Sequence, residues 1–264
     1  MTTSKLKVLV ADDASAIQAF FAEIAATSPV AFEIVKAVNG REAMELLNKG
    51  GVNVAFIDVN MPEMSGIDAL GEARKIGAKT FVTLISSEAS SRRLEVARKL
   101  NVYEFLTKPF KPEDVHAILQ TYCRVTQPAK VLIVDDSATT RKVITKVLTG
   151  SIFNLDIMEA PNGMAALREC VSGGVDVIFL DCNMPDLNGL DTLAHLKEID
   201  PDIKVIMNSG ERNDEKRRKA LEQGAAAFLY KPFYPADIDR ELHAVFGLKM
   251  PMLAHADEHA LQPA

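Results

Sequence analysis

The chain repeats itself at a constant offset. Asp12-Asp13 returns as Asp135-Asp136, Asp58 as Asp181, and Lys108-Pro109-Phe110 as Lys231-Pro232-Phe233. The differences 135 − 12, 181 − 58 and 231 − 108 all equal 123. Asn39-Gly40 and Asn162-Gly163, Asn60-Met61-Pro62 and Asn183-Met184-Pro185, and Gly66 and Gly189 keep the same spacing. Two copies of one domain therefore stand in tandem, with no net insertion between landmarks. The 264 residues suit two domains of about 120 each, large enough to bury a core without staples. The spacing predicts copies over 1–124 and 131–247, a linker over 125–130 and a flexible tail over 248–264.

Each copy opens with an apolar run that ends in two acids: Val8-Leu9-Val10-Ala11 before Asp12, and Val131-Leu132-Ile133-Val134 before Asp135. A second unbroken run, Val54-Ala55-Phe56-Ile57 or Val177-Ile178-Phe179-Leu180, ends at Asp58 or Asp181. Continuous apolar runs bounded by turns predict strands buried on both faces of a parallel sheet. Stretches such as Ala16–Ile24 carry apolar residues three and four apart, the helical period. Strand and helix alternate about five times per copy, which is the α/β pattern. Right-handed crossovers bring all strand C-terminal ends to one edge, where open α/β sheets bind ligands. The repeated acids sit at those ends.

Three carboxylates at one edge need a counter-charge, and a hard divalent ion such as Mg²⁺ with oxygen ligands supplies it. Lys108 follows a later strand and brings a fixed positive charge, and Ser86 follows Val82-Thr83-Leu84-Ile85 and brings a hydroxyl. Metal, ammonium and hydroxyl around a carboxylate suit phosphoryl transfer with the carboxylate as acceptor.

With these elements both copies resemble the receiver domain of two-component response regulators, including the chemotaxis receivers. The shared pattern is an acid pair after the first strand, Asp after the third, Ser after the fourth and Lys-Pro after the fifth. The resemblance implies two flavodoxin-like (βα)5 doubly wound domains, each with a five-stranded parallel sheet of order 2-1-3-4-5. It implies that Asp58 and Asp181 are the phosphoacceptors. Asp13 and Asp136 would ligate Mg²⁺ directly, Asp12 and Asp135 largely through water, and Asn60 and Asn183 through their carbonyls. Ser86 and Ser209 would be the switch hydroxyls, and Lys108 and Lys231 the partners of a phosphoryl oxygen, each before a cis proline. Phe105 and Phe228 would hold the switch aromatic position. A phenyl ring there can rotate inward, but it lacks the hydroxyl of the more common tyrosine.

The functional expectation is a response regulator without an output domain in the chain. A histidine kinase or phosphotransfer protein would phosphorylate it, and a downstream protein would read it. It would be no enzyme beyond its own phosphorylation and dephosphorylation. Asn60 and Asn183, and Glu88 and Glu211, are identical in the copies, so similar phosphoryl lifetimes are expected. The alternative is a phosphatase of the haloacid-dehalogenase type. It needs a second acid two residues after its nucleophile, where this chain has Asn60 after Asp58.

Charge and cysteines set further bounds. Residues 1–124 carry 15 basic and 15 acidic residues, so the net −6 lies in the second half, which argues against nucleic acid. Three unpaired-looking cysteines and no apolar run of ~18 residues predict a cytoplasmic chain outside the membrane. Cys182, beside the acceptor, is read as structural rather than reactive. His255 and His259 have helical metal-ligand spacing, but the tail is expected to be unordered. Lys216-Arg217-Arg218-Lys219 is read as a solvated helix face.

Overall fold

The computed structural model describes residues 5–185 and 187–254. These residues form two compact units, one of residues 5–122 with 249–254 and one of residues 123–185 with 187–248.

The first unit runs β1 (Leu6–Ala11), α1 (Ser15–Thr27), β2 (Phe32–Ala37), α2 (Gly40–Lys49), β3 (Val54–Asp58), α3 (Gly66–Lys75), β4 (Phe81–Ser86), α4 (Ser91–Lys99), β5 (Glu104–Thr107) and α5 (Pro112–Thr126). Its strands are parallel in the order β2-β1-β3-β4-β5. The second unit repeats the series as β6 (Ala129–Val134), α6 (Ala138–Leu148), β7 (Leu155–Ala160), α7 (Gly163–Val171), β8 (Val177–Asp181), α8 (Gly189–Ile199), β9 (Lys204–Ser209), α9 (Asp214–Glu222), β10 (Ala227–Tyr230) and α10 (Pro235–Val245). Its order, β7-β6-β8-β9-β10, is the same topology. Both are the doubly wound sheet of order 2-1-3-4-5 that the sequence implied.

The unbroken apolar runs are the central strands. Every residue of β3 and of β8 is buried, as expected for strands covered on both faces. In the first unit one apolar cluster unites Leu9, Ile57, Leu70, Leu84 and Phe105, and another on the opposite strand faces unites Val10, Phe21, Phe56 and Leu119. The repeated Asn-Gly pairs are helix starts. Asn39 Oδ1 accepts from the Glu42 N–H at 2.8 Å and Asn162 Oδ1 from the Ala165 N–H at 2.9 Å. Such a cap stabilises a helix by about 1 kcal/mol.

Two stretches differ from the sequence reading. Helix α5 continues to Thr126 and β6 begins at Ala129, so only Gln127 and Pro128 of the expected linker lie outside regular elements. Residues 249–254 of the expected flexible tail pack on the first unit, with Leu253 buried in its apolar cluster. Hydrophobic burial overrides the low periodicity there. His255 and His259 lie outside the described residues. No described helix is long and apolar enough to cross a membrane.

Candidate functional site

In the first unit the strand ends bring Asp12, Asp13 and Asp58 together. One carboxylate oxygen from each lies within 4.8 Å of the others. Asp12 and Asp58 are buried, whereas Asp13 is exposed. Asp12 is held by the chain itself, its Oδ1 accepting from the Ala14 N–H at 2.8 Å. Its Oδ2 accepts from Lys108 Nζ, also at 2.8 Å, and the same ammonium lies 3.1 Å from Asp58 Oδ1. Lys108 thus bridges the ends of β1 and β3 from the end of β5.

Burial pushes the Asp58 carboxyl above its ordinary value, against the hydrogen bond and charge of Lys108. Burial by itself would lower Lys108, but its hydrogen bonds to Asp12 and Asp58 hold the ammonium above its ordinary value. The peptide bond that follows Lys108 is cis, as is the one after Lys231. Phe110, the third residue of the Lys-Pro-Phe element, packs edge-on against Phe20 of α1 at 5.5 Å between ring centroids. That contact anchors the loop carrying the lysine to the helix covering β1.

The second unit repeats the lysine bridge. Lys231 Nζ lies 2.7 Å from both Asp135 Oδ2 and Asp181 Oδ1. Asp181 Oδ2 accepts from the Asn183 N–H at 2.8 Å. Asp135 is buried and Asp136 exposed, as in the first unit. Burial opposes and the two carboxylates raise the Lys231 ammonium, with the net shift upward.

Ser86 and Ser209 are fully buried at the ends of β4 and β9, each accepting from the N–H two residues on, Glu88 or Glu211. Asn60 and Asn183 are exposed two residues beyond the acid of β3 or β8. Phe105 is fully buried, whereas Phe228 is half-buried beside Tyr230.

Two neighbours escaped the sequence reading. Arg93 of α4 donates to Ser86 Oγ at 3.0 Å and to Asn60 Oδ1 at 3.2 Å. Its counterpart in the repeat, Lys216 of α9, donates to Asn183 Oδ1 at 2.8 Å and pairs with Glu211. The 123-residue offset could have flagged Lys216, because it separates this residue from the solvated run in which it was read. Lys219 and Arg218 of that run do face solvent, paired with Glu215 and Glu222.

Cys182 is buried in the apolar cluster of the second unit, and burial, with the charge of Asp181, pushes its thiol up to about 11. That inert state agrees with a structural residue.

The description "response regulator receiver domain" matches residues 8–120 and again 131–243. The chain belongs to the response regulator receiver family. Both units are receivers. Each is similar in length to a chemotaxis receiver: the chemotaxis protein CheY of Thermotoga maritima is 32% identical over 116 residues, 44% of this chain and 96% of that protein. A protein-glutamate methylesterase/protein-glutamine glutaminase of Paramagnetospirillum magneticum is 35% identical over 115 residues, 43% of this chain, which spans 30% of that protein. The solved structure of a two-component system response regulator/GGDEF domain protein superposes with a TM-score of 0.59 at 22% identity. It covers 92% of this chain and 100% of its own. That likeness concerns the tandem fold.

The donor set of the first receiver fits Mg²⁺: oxygen atoms only, two buried carboxylates and one exposed one that leaves room for water. Asp12, Asp13 and Asp58 would hold the ion there; Asp135, Asp136 and Asp181 stand at the corresponding positions of the second receiver, but among the described residues only the first three carboxylates are gathered within 4.8 Å of one another.

Proposed function

We propose that both receivers are phosphoacceptors, Asp58 in the first and Asp181 in the second, and that the chain is a phosphorelay switch rather than an enzyme acting on other molecules. The observation that carries this reading is the single ammonium shared by two buried carboxylates, 2.8 and 3.1 Å away in the first receiver and 2.7 Å from each in the second. An ammonium so placed balances a carboxylate nucleophile before reaction and a phosphoryl oxygen after it. Bound Mg²⁺ would add charge stabilisation to the same oxygens.

In the reaction an Asp58 oxygen forms a bond to phosphorus as the bond from phosphorus to the donor's imidazole nitrogen breaks. The electron pair leaves with the imidazole, and an acyl phosphate remains on the chain. The donor is a histidine kinase or a phosphotransfer protein. The Ser86 or Ser209 hydroxyl, freed from its backbone donor, turns toward the phosphoryl group. The switch aromatic of β5 or β10 follows, and the face built by the fourth and fifth strand–helix units changes for a protein partner.

Labelling with acetyl phosphate tests this. The wild-type chain should take two phosphoryl groups per molecule, Asp58→Asn and Asp181→Asn one each, and the double variant none. A single-site variant with undiminished labelling would refute the assignment for that receiver.

A further inference from the structure

Most of the side chains that hold the last described segment of the chain occur in the first receiver alone. Lys249–Ala254 lies over the edge made by α4, β5 and α5. Arg98 Nε donates to the Leu253 carbonyl at 3.2 Å, and the Tyr103 hydroxyl donates to the Lys249 carbonyl at 3.4 Å. The Met252 N–H donates to Glu104 Oε1 at 3.0 Å, and Lys249 Nζ pairs with Asp114 Oδ1 at 2.9 Å. Leu253 is 6% exposed and shares an apolar cluster with Ala97, Val102 and Phe105.

The tandem repeat supplies an internal comparison. Adding 123 to Arg98, Tyr103 and Glu104 gives Leu221, Ala226 and Ala227. Three of the four side chains that grip the segment therefore have no equivalent in the second receiver, although every residue of the phosphoacceptor site does. Glu104 is the most telling of them. It is a carboxylate buried at the start of β5, and burial without hydrogen bonds is costly for such a group. Its Oε1 accepts from the adjacent Phe105 N–H at 2.8 Å and, across the chain, from the Met252 N–H. The second of these bonds exists only with the segment seated. Arg98 and Glu104 together read a peptide backbone, one its carbonyl and the other its N–H. Phe105 is fully buried under this arrangement, while Phe228, in a receiver without it, is half-buried.

We propose that Lys249–Ala254 is a ligand in cis for the α4–β5–α5 face of the first receiver, and that a protein partner engages this face by displacing it. The partner that fits is a peptide with a lysine, an aliphatic side chain four residues later and a free N–H between them. The partner half of this proposal rests on the proposed function, which takes that face as the signalling surface. The occupancy half does not.

The test compares the intact chain with one ending at Leu248, using a fluorescent peptide of residues 249–258 as probe and no phosphoryl donor. The peptide should bind the shortened chain and bind the intact chain at least tenfold more weakly. Arg98→Leu, Tyr103→Ala and Glu104→Ala, the side chains the second receiver already carries at these positions, should abolish binding to the shortened chain. In the intact chain the same three changes should speed amide exchange over 249–254 at least tenfold. Equal binding to both chains, binding to neither, or binding that survives the three substitutions would overturn the proposal. Because no phosphoryl donor is present, the outcome is independent of the labelling experiment on Asp58.

Discussion

Lys108 and Lys231 each answer two carboxylates, and that is the tightest constraint at the scale of single residues. Removing the ammonium leaves Asp12 and Asp58 buried with no fixed counter-charge. Lys108→Met should therefore abolish labelling of Asp58 while leaving Asp181 intact. It should also make stability in metal-free buffer rise on acidification: with Lys108 gone the folded Asp58 pKa climbs further above the unfolded value, so the folded state binds its proton first. His243 offers the opposite sign. Burial, opposed by the Asp239 carbonyl and charge, depresses its imidazole below 6.5, and its ring packs edge-on against Phe153. Its contribution is fully present above pH 6.5 and is lost as pH falls from there through the folded value. Denaturant unfolding of the second receiver should show this acid slope, and His243→Phe, which keeps the ring packing, should remove it. The carboxylates and lysines of the site were legible in the sequence because they repeat at one offset. His243 was not, because its ring packs on Phe153, which arrives from a segment ninety residues earlier.

At the scale of elements, α3 and α8 begin directly against the ends of β3 and β8. A methyl group on Gly66 would lie 2.0 Å from the Asp58 carbonyl oxygen, and one on Gly189 2.2 Å from that of Asp181. No side chain fits there, so the glycines let each helix start close enough to fix the backbone of the acceptor. Gly66→Ala should cost about 1–3 kcal/mol of first-receiver stability through overpacking and slow the labelling of Asp58 alone. A variant with wild-type unfolding and labelling would show that the helix start has room to shift. The central strands were readable from sequence because burial on both faces leaves no polar residue in the run. The docked segment was not. Lys249-Met-Pro-Met-Leu253 has no period of 2 or 3.6, and its place follows from Arg98 and Glu104, which are unremarkable charges until a backbone is set beside them.

For the whole molecule, both receivers carry the same lysine-bridged carboxylates, so on the proposed function saturating beryllofluoride with Mg²⁺ should load two per chain, and one in either Asp→Asn variant, by native mass spectrometry. The identity of Asn60 with Asn183 and of Glu88 with Glu211 favours matched behaviour, but the third position over the site differs. Arg93 spans Ser86 and Asn60 with a planar, multiply donating fork, whereas Lys216 offers a single mobile ammonium to Asn183. On the proposed function, a fork held at two points would shield the acceptor from a hydrolysing water more than one ammonium would. Asp58 should therefore hold its phosphoryl group longer than Asp181, with Arg93→Lys shortening the first lifetime and Lys216→Arg lengthening the second. Equal decay of the two acyl phosphates would dismiss the effect. Two unequal clocks wound by the same event give a molecule a sense of elapsed time: soon after a signal both hands stand forward, later only one, and a reader of the pair can tell a fresh stimulus from an ageing one.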